Sequence, residues 1–115
     1  MRMIVTALAG LAFATTAVAA QPAQPAVDIQ PFIAHEISPK VHLLATPDDW
    51  YAGAIGNVIL IEQSDGFVLV DSGANAANGR AVVRYAKSLA NKPIKAVMIT
   101  HWHGDHPQGI SAIRD

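Results

Sequence analysis

The chain has no cysteine, so no disulfide holds it and its fold must rest on a buried core. Basic residues are few. Eight Lys and Arg stand against nine Asp and Glu, and they are scattered rather than clustered. That balance gives no footprint for a nucleic acid or an anionic membrane as partner. No internal repeat is visible, which sets aside solenoids and arrays. Among 115 residues only one apolar stretch is long enough to raise a membrane question, and it lies at the very start.

That stretch reads as a secretory signal peptide over residues 1–20. Arg2 supplies a short positive start. Residues 4–14 form an apolar core broken by Thr6 and Gly10, and Ala17-Val18-Ala19 and Val18-Ala19-Ala20 are small-residue cleavage signatures. The core is shorter than the ~20 residues a spanning helix needs, so no stable membrane anchor is expected after cleavage. Taking these 20 residues from the 115 leaves 95, and losing Arg2 moves the net charge from -1 to -2. Ninety-five residues bury one small core and not two. The expected location is periplasmic or secreted.

Residues 21–36 carry Pro22, Pro25 and Pro31 among Gln and Ala and read as an extended linker. Domain-like patterning is expected over residues 37–115. Val41-His42-Leu43-Leu44 is a short strand candidate. Residues 57–62 and 67–70 are β-branched and apolar, and their near-continuous hydrophobicity suggests strands buried on both faces. Gln63-Ser64-Asp65-Gly66 separates them, and Asp-Gly there suggests a hairpin turn at positive φ. Asn75 or Asn78 can cap a helix running to about residue 90, with Val82, Val83, Ala86, Leu89 and Ala90 on one stripe and Arg80, Arg84, Lys87 and Ser88 opposite. Asn91-Lys92-Pro93 stops it. A strand follows over residues 94–100, and Pro107 fits the first turn of a further helix through Ile110 and Ile113.

The chemistry is concentrated between those last two elements. His101, His103, Asp105 and His106 fall within six residues, just past an apolar strand. Imidazole with carboxylate suits zinc, and iron or manganese are possible. His101 and His103 are two apart on an extended segment, so both can face one ion. Gly104 lets the backbone turn, so Asp105 and His106 can face a second. Two ions roughly 3.5–4 Å apart form a hydrolytic pair. Trp102, between the ligands, is expected to pack inward and stiffen the loop. Trp50 and Tyr51 either rim a pocket or shield the sheet edge. His35 and His42, far off in sequence, are expected to be ordinary surface or strand residues.

The stretch Thr100-His101-Trp102-His103-Gly104-Asp105-His106-Pro107-Gln108-Gly109 resembles the HxHxDH signature of the metallo-β-lactamase fold superfamily. Gly56-Asn57-Val58, the Ser-Asp-Gly hairpin and Val70-Asp71-Ser72-Gly73 are similar to that family's first half, so the likeness covers residues 41–115. The resemblance implies an α/β fold, the αββα sandwich, represented by its first half: strands, helix, strand, metal loop, helix start. It implies His101 and His103 on one metal and Asp105 and His106 on the other, with Asp105 also orienting the attacking water. Asp71 would support the loop through hydrogen bonds, beside an equally local reading as a turn or capping residue. The family places a further His, a bridging Asp and a final His well downstream, so the chain reads as an N-terminal fragment. The implied activity is that of an exported hydrolase with a dinuclear zinc site, whose metal-bound hydroxide attacks an ester, thioester, β-lactam or similar bond of a small-molecule substrate. An iron-dependent redox enzyme on the same fold and a non-catalytic metal-binding remnant are the alternatives.

Overall fold

A computed structural model describes residues 29, 31–47 and 56–114. The expected signal peptide, most of the proline-bearing lead-in, and Trp50 and Tyr51 lie outside the described residues.

Five strands form one sheet in chain order: β1 (Ile33–Ser38), β2 (Val41–Ala45), β3 (Val58–Gln63), β4 (Gly66–Val70) and β5 (Ile94–Met98). The first four pair antiparallel. β4 and β5 pair parallel. A parallel neighbour demands a crossover, and helix α1 (Ala76–Leu89) supplies it. The strand–helix–strand order expected for the first part of the α/β sandwich is thus present. The sheet starts earlier than the sequence suggested, because residues 33–36 of the expected linker pair with β2 and Phe32 is buried in the core. Alternation in Ile33-Ala34-His35-Glu36 is weak as a pattern, and the neighbouring strand decides it.

Asn75 is the helix cap, its side-chain oxygen accepting from the Asn78 N–H at 3.0 Å. Asn78 is itself buried and accepts from the Ala74 N–H at 3.0 Å, tying the turn before the helix to its first turn. The helix lays Ala81, Val82, Tyr85 and Ala86 on Leu44, Val58, Leu60, Phe67 and Leu69 of the sheet. Full burial of each large side chain contributes about 1.5–3 kcal/mol. Arg80, Arg84 and Lys87 face outward, as their spacing suggested.

Only one face of the sheet is covered this way. Burial alternates along β3, and the row His35–Leu43–Ile59–Val70–Met98, which crosses all five strands by direct pairing, is half-buried or exposed among the described residues. The expectation of strands buried on both faces is therefore corrected: continuous hydrophobicity is present, but helix α1 covers one side alone.

Two local expectations also change. The β3–β4 turn is two residues long, Ser64 and Asp65, and neither they nor Gly66 lie at positive φ. Gly66 is required by proximity instead, since a Cβ there would lie 2.7 Å from the Pro93 carbonyl oxygen and 2.6 Å from the Lys95 side chain. The element after Pro107 is a 3-10 helix, Gln108–Ala112, rather than an α-helix, with Ile110 and Ile113 donating three residues back. Its Gly109 is pressed against the Ser72 carbonyl, where a Cβ would fall 1.9 Å from that oxygen.

Candidate functional site

The loop bearing the four candidate ligands leaves β5 at the sheet edge and is fastened at three points. The Ser72 N–H and hydroxyl both donate to the His106 carbonyl at 2.8 Å. The Gly109 N–H donates to the Gly73 carbonyl at 3.0 Å. The Gly56 N–H donates to the Asp105 carbonyl at 3.2 Å. The first two anchors belong to Asp71-Ser72-Gly73, the segment in which β4 ends and reverses. Gly73 turns it at φ 87, and Asp71 itself sits at φ 63. Asp is among the few residues with a side chain that accept that left-handed region.

Asp71 is the electrostatic centre of the site. Its Oδ1 accepts from the Thr100 N–H and its Oδ2 from the Thr100 hydroxyl, both at 2.8 Å. Its Oδ2 also lies 2.7 Å from His106 Nδ1. Burial pushes the Asp71 carboxyl up, but the Thr100 N–H, the His106 imidazole and the Thr100 hydroxyl together hold it below its ordinary value. An ionised carboxylate only accepts, so His106 donates through Nδ1 and carries its lone pair on Nε2. Thr100 has one hydroxyl proton, and it goes to Asp71. The same oxygen then accepts from His101 Nδ1 at 3.1 Å, which leaves the His101 lone pair on Nε2 as well. One buried carboxylate thus selects the tautomer of two histidines. Asp71 therefore supports the loop as the resemblance implied, and Asn75, not Asp71, caps the helix.

The two free nitrogens meet partners. His101 Nε2 lies 3.1 Å from His103 Nδ1. His106 Nε2 lies 3.2 Å from Asp105 Oδ2. Donors bound at ~2.0–2.1 Å to one tetrahedral ion lie roughly 3.3 Å apart. Each pair therefore has the separation of two donors on a single ion. The His101 and His106 rings stand 4.0 Å apart by centroid, so the two pairs are adjacent. Among the described residues no three His, Cys, Asp or Glu side chains converge on one point. The donors come as two pairs, His101 with His103 and Asp105 with His106, and in chemistry and spacing each fits half of a metal shell.

Trp102 is not where sequence placed it. It is 83% exposed, with its ring edge-on to His103 at 4.5 Å. The loop has already left the sheet by this position, so the alternate side chain that would point into a core points outward. His35 is exposed on β1. His42 is a strand residue, one of the two expected settings, and it is buried in β2 with its Nδ1 3.2 Å from the Tyr85 hydroxyl. Gly56 and Thr100 are the site residues that sequence reasoning left without a role. Thr100 stood next to the ligand run, and that adjacency was the available signal.

A profile of the metallo-beta-lactamase superfamily matches residues 51–113. Over 53 residues the chain is 38% identical to a linear primary-alkylsulfatase of a Pseudomonas species, a stretch making up 46% of this chain and 10% of that protein. Two solved structures share the fold. A stereoselective inverting sec-alkylsulfatase from Pseudomonas has a TM-score of 0.59 and 30% identity, covering 73% of this chain and 12% of its own. The metallo-beta-lactamase FIM-1 from Pseudomonas aeruginosa, in its mono-zinc form, has a TM-score of 0.61 and 26% identity, covering 80% of this chain and 41% of its own. The chain spans well under half the length of each of these relatives.

Proposed function

Because the chain belongs to the metallo-beta-lactamase superfamily, we propose that it carries half of a dinuclear zinc centre, acting in an exported hydrolase on an ester, thioester, β-lactam or sulfate-ester bond. One observation carries this reading. The Asp71–Thr100 network turns the lone pairs of His101 and His106 toward His103 and Asp105, giving two adjacent donor pairs.

In this reading His101 and His103 hold one ion, and Asp105 and His106 hold the other. Zinc held there supplies Lewis acidity, which makes water a competent nucleophile near neutral pH and offsets charge on the attacked group. The chain's own part is orientation. Asp71 fixes the His106 ring and, through Thr100, the His101 ring, and a ligating histidine needs such a partner on its other nitrogen. Asp105 Oδ2, 3.2 Å from His106 Nε2, would be a ligand and would also orient the water. The likeness to two alkylsulfatases supports sulfate esters within the substrate panel, and the likeness to a zinc-containing β-lactamase supports zinc.

The test is zinc content together with turnover of a β-lactam, a thioester and an alkyl sulfate by the protein purified from its native host. Zinc with hydrolysis of any of the three supports the reading. Iron with visible absorption, or no bound metal, overturns it. Export is tested on the same material: the expected N-terminus is Ala20 or Gln21 in the periplasmic fraction, and an unprocessed cytoplasmic chain refutes it.

A further inference from the structure

We propose that Gly56 is a positioning residue for the second half of the metal loop, seating the His106 imidazole and the Asp105 main chain by having no side chain. Gly56 stands two residues before β3, almost fifty residues from the ligands, yet it touches both. A Cβ built on it would lie 2.8 Å from the Asp105 carbonyl oxygen, 2.8 Å from His106 Cε1 and 2.9 Å from His106 Nδ1. Real Cβ atoms do not approach so closely, so any larger residue must move one of these groups.

Neither group is free to move. The Asp105 carbonyl accepts the Gly56 N–H, the His106 carbonyl is held twice by Ser72, and His106 Nδ1 is held by Asp71. The imidazole lies against Gly56 and also neighbours the His101 ring, 4.0 Å away by centroid. A displaced ring shifts Nε2 away from Asp105 Oδ2. No atom of His101 or His103 is among the three nearest to a Cβ at Gly56, so the direct clash falls on Asp105 and His106. The requirement at Gly56 is therefore space and not backbone freedom, since Gly56 is not among the residues at positive φ. Its direct consequence is selective: the clash falls on the Asp105–His106 pair.

This inference rests on the reading of Asp105 and His106 as ligands of one ion, and the experiment separates the two ideas. The full chain and its Gly56→Ala variant are titrated with zinc, and occupancy is followed by native mass spectrometry. The parent is expected to take two ions. Gly56→Ala is expected to keep one with unchanged affinity and to bind the other about 10-fold more weakly, the scale expected when a ligand loses its orientation. Val82→Ala, a cavity in the core between helix and sheet, serves as the control for a purely structural defect and is expected to leave the ratio between the two ions unaltered. A parent that binds no ion at Asp105 and His106 overturns the proposed function and this inference together. A parent with two ions and a Gly56→Ala variant with the same two affinities overturns this inference alone. Should Gly56→Ala fail to fold, the parent still decides: a nuclear Overhauser contact between the Gly56 α-protons and the His106 ring proton on Cε1 is expected, and its absence refutes the seat.

Discussion

Asp71 and His106 are 35 residues apart in sequence and 2.7 Å apart in space, joined carboxylate to imidazole at the sheet edge. β4 and β5 run parallel in a register that pairs Val70 with Met98, which sets Asp71 beside Thr100, and the loop after Thr100 brings His106 back to the same carboxylate. His106 directly, and His101 through Thr100, are oriented from that meeting point.

Replacing Asp71 with Asn tests it. Asn tolerates the same left-handed backbone as Asp and keeps its size, so the fold is expected to survive. The charge is lost, and with it the preference for a proton on His106 Nδ1. Zinc affinity at the Asp105–His106 position is expected to fall about 10–100-fold. Zinc titration of the Asp71→Asn protein checks this, and unchanged affinity would remove Asp71 from the site.

The ligand pairs predict separable losses. His103→Ala is expected to abolish one zinc position and leave the Asp105–His106 position occupied, since each side chain supplies one metal bond. Metal analysis of the purified variant gives the answer. Full zinc content in His103→Ala would refute the pairing.

Trp102 is expected to matter little for stability. At 83% exposure it forfeits almost no buried area on truncation, so Trp102→Ala should shift the unfolding free energy by no more than about 0.5 kcal/mol. Trp102→Phe should retain the metals. Denaturant unfolding measures the first, and a loss above 2 kcal/mol would restore the packing role.

The Tyr85 hydroxyl is expected to be costly to remove, by contrast. Tyr85 and His42 are both buried and face each other between helix and sheet. Tyr85→Phe leaves His42 Nδ1 without that partner, and the expected destabilisation is about 1–3 kcal/mol. Equilibrium unfolding of the variant provides the check, with an unchanged midpoint as the contrary result.

Lys92 and Glu62 tie the start of β5 to the β3–β4 hairpin at 2.5 Å. The Lys92 hydrogen bond holds the Glu62 carboxyl below its ordinary value. A lowered value in the folded state means the pair stabilises the fold above Glu's ordinary value of about 4.3, and the contribution fades as pH falls through the lowered one. Lys92→Met should therefore cost roughly 0.2–1 kcal/mol at neutral pH, and the part owed to Glu62 should vanish once Glu62 is protonated in both states, leaving only the Lys92 bond to the Gln63 carbonyl. Stability measured across that range should show the two proteins converging in acid; a constant gap would disprove the linkage.

Much of this protein was legible as sequence because the signals were local. β-branched runs at 58–61 and 67–70 announce strands. Asn75 announces a cap, Pro93 a stop, and four ligands in six residues announce their chemistry. These depend on periodicity and on donor types, both of which a short window contains. What only the tertiary structure decided depends on register and approach. Pairing with β2 turned part of an apparent linker into β1. A one-sided helix left half of an apolar sheet uncovered, and a loop leaving the sheet turned Trp102 outward. The parallel β4–β5 register brought Asp71 under Thr100 and His106, and close approach gave Gly56 and Gly66 their purpose. No local window encodes these, because each is a distance between residues that the chain brings together only once the sheet has formed.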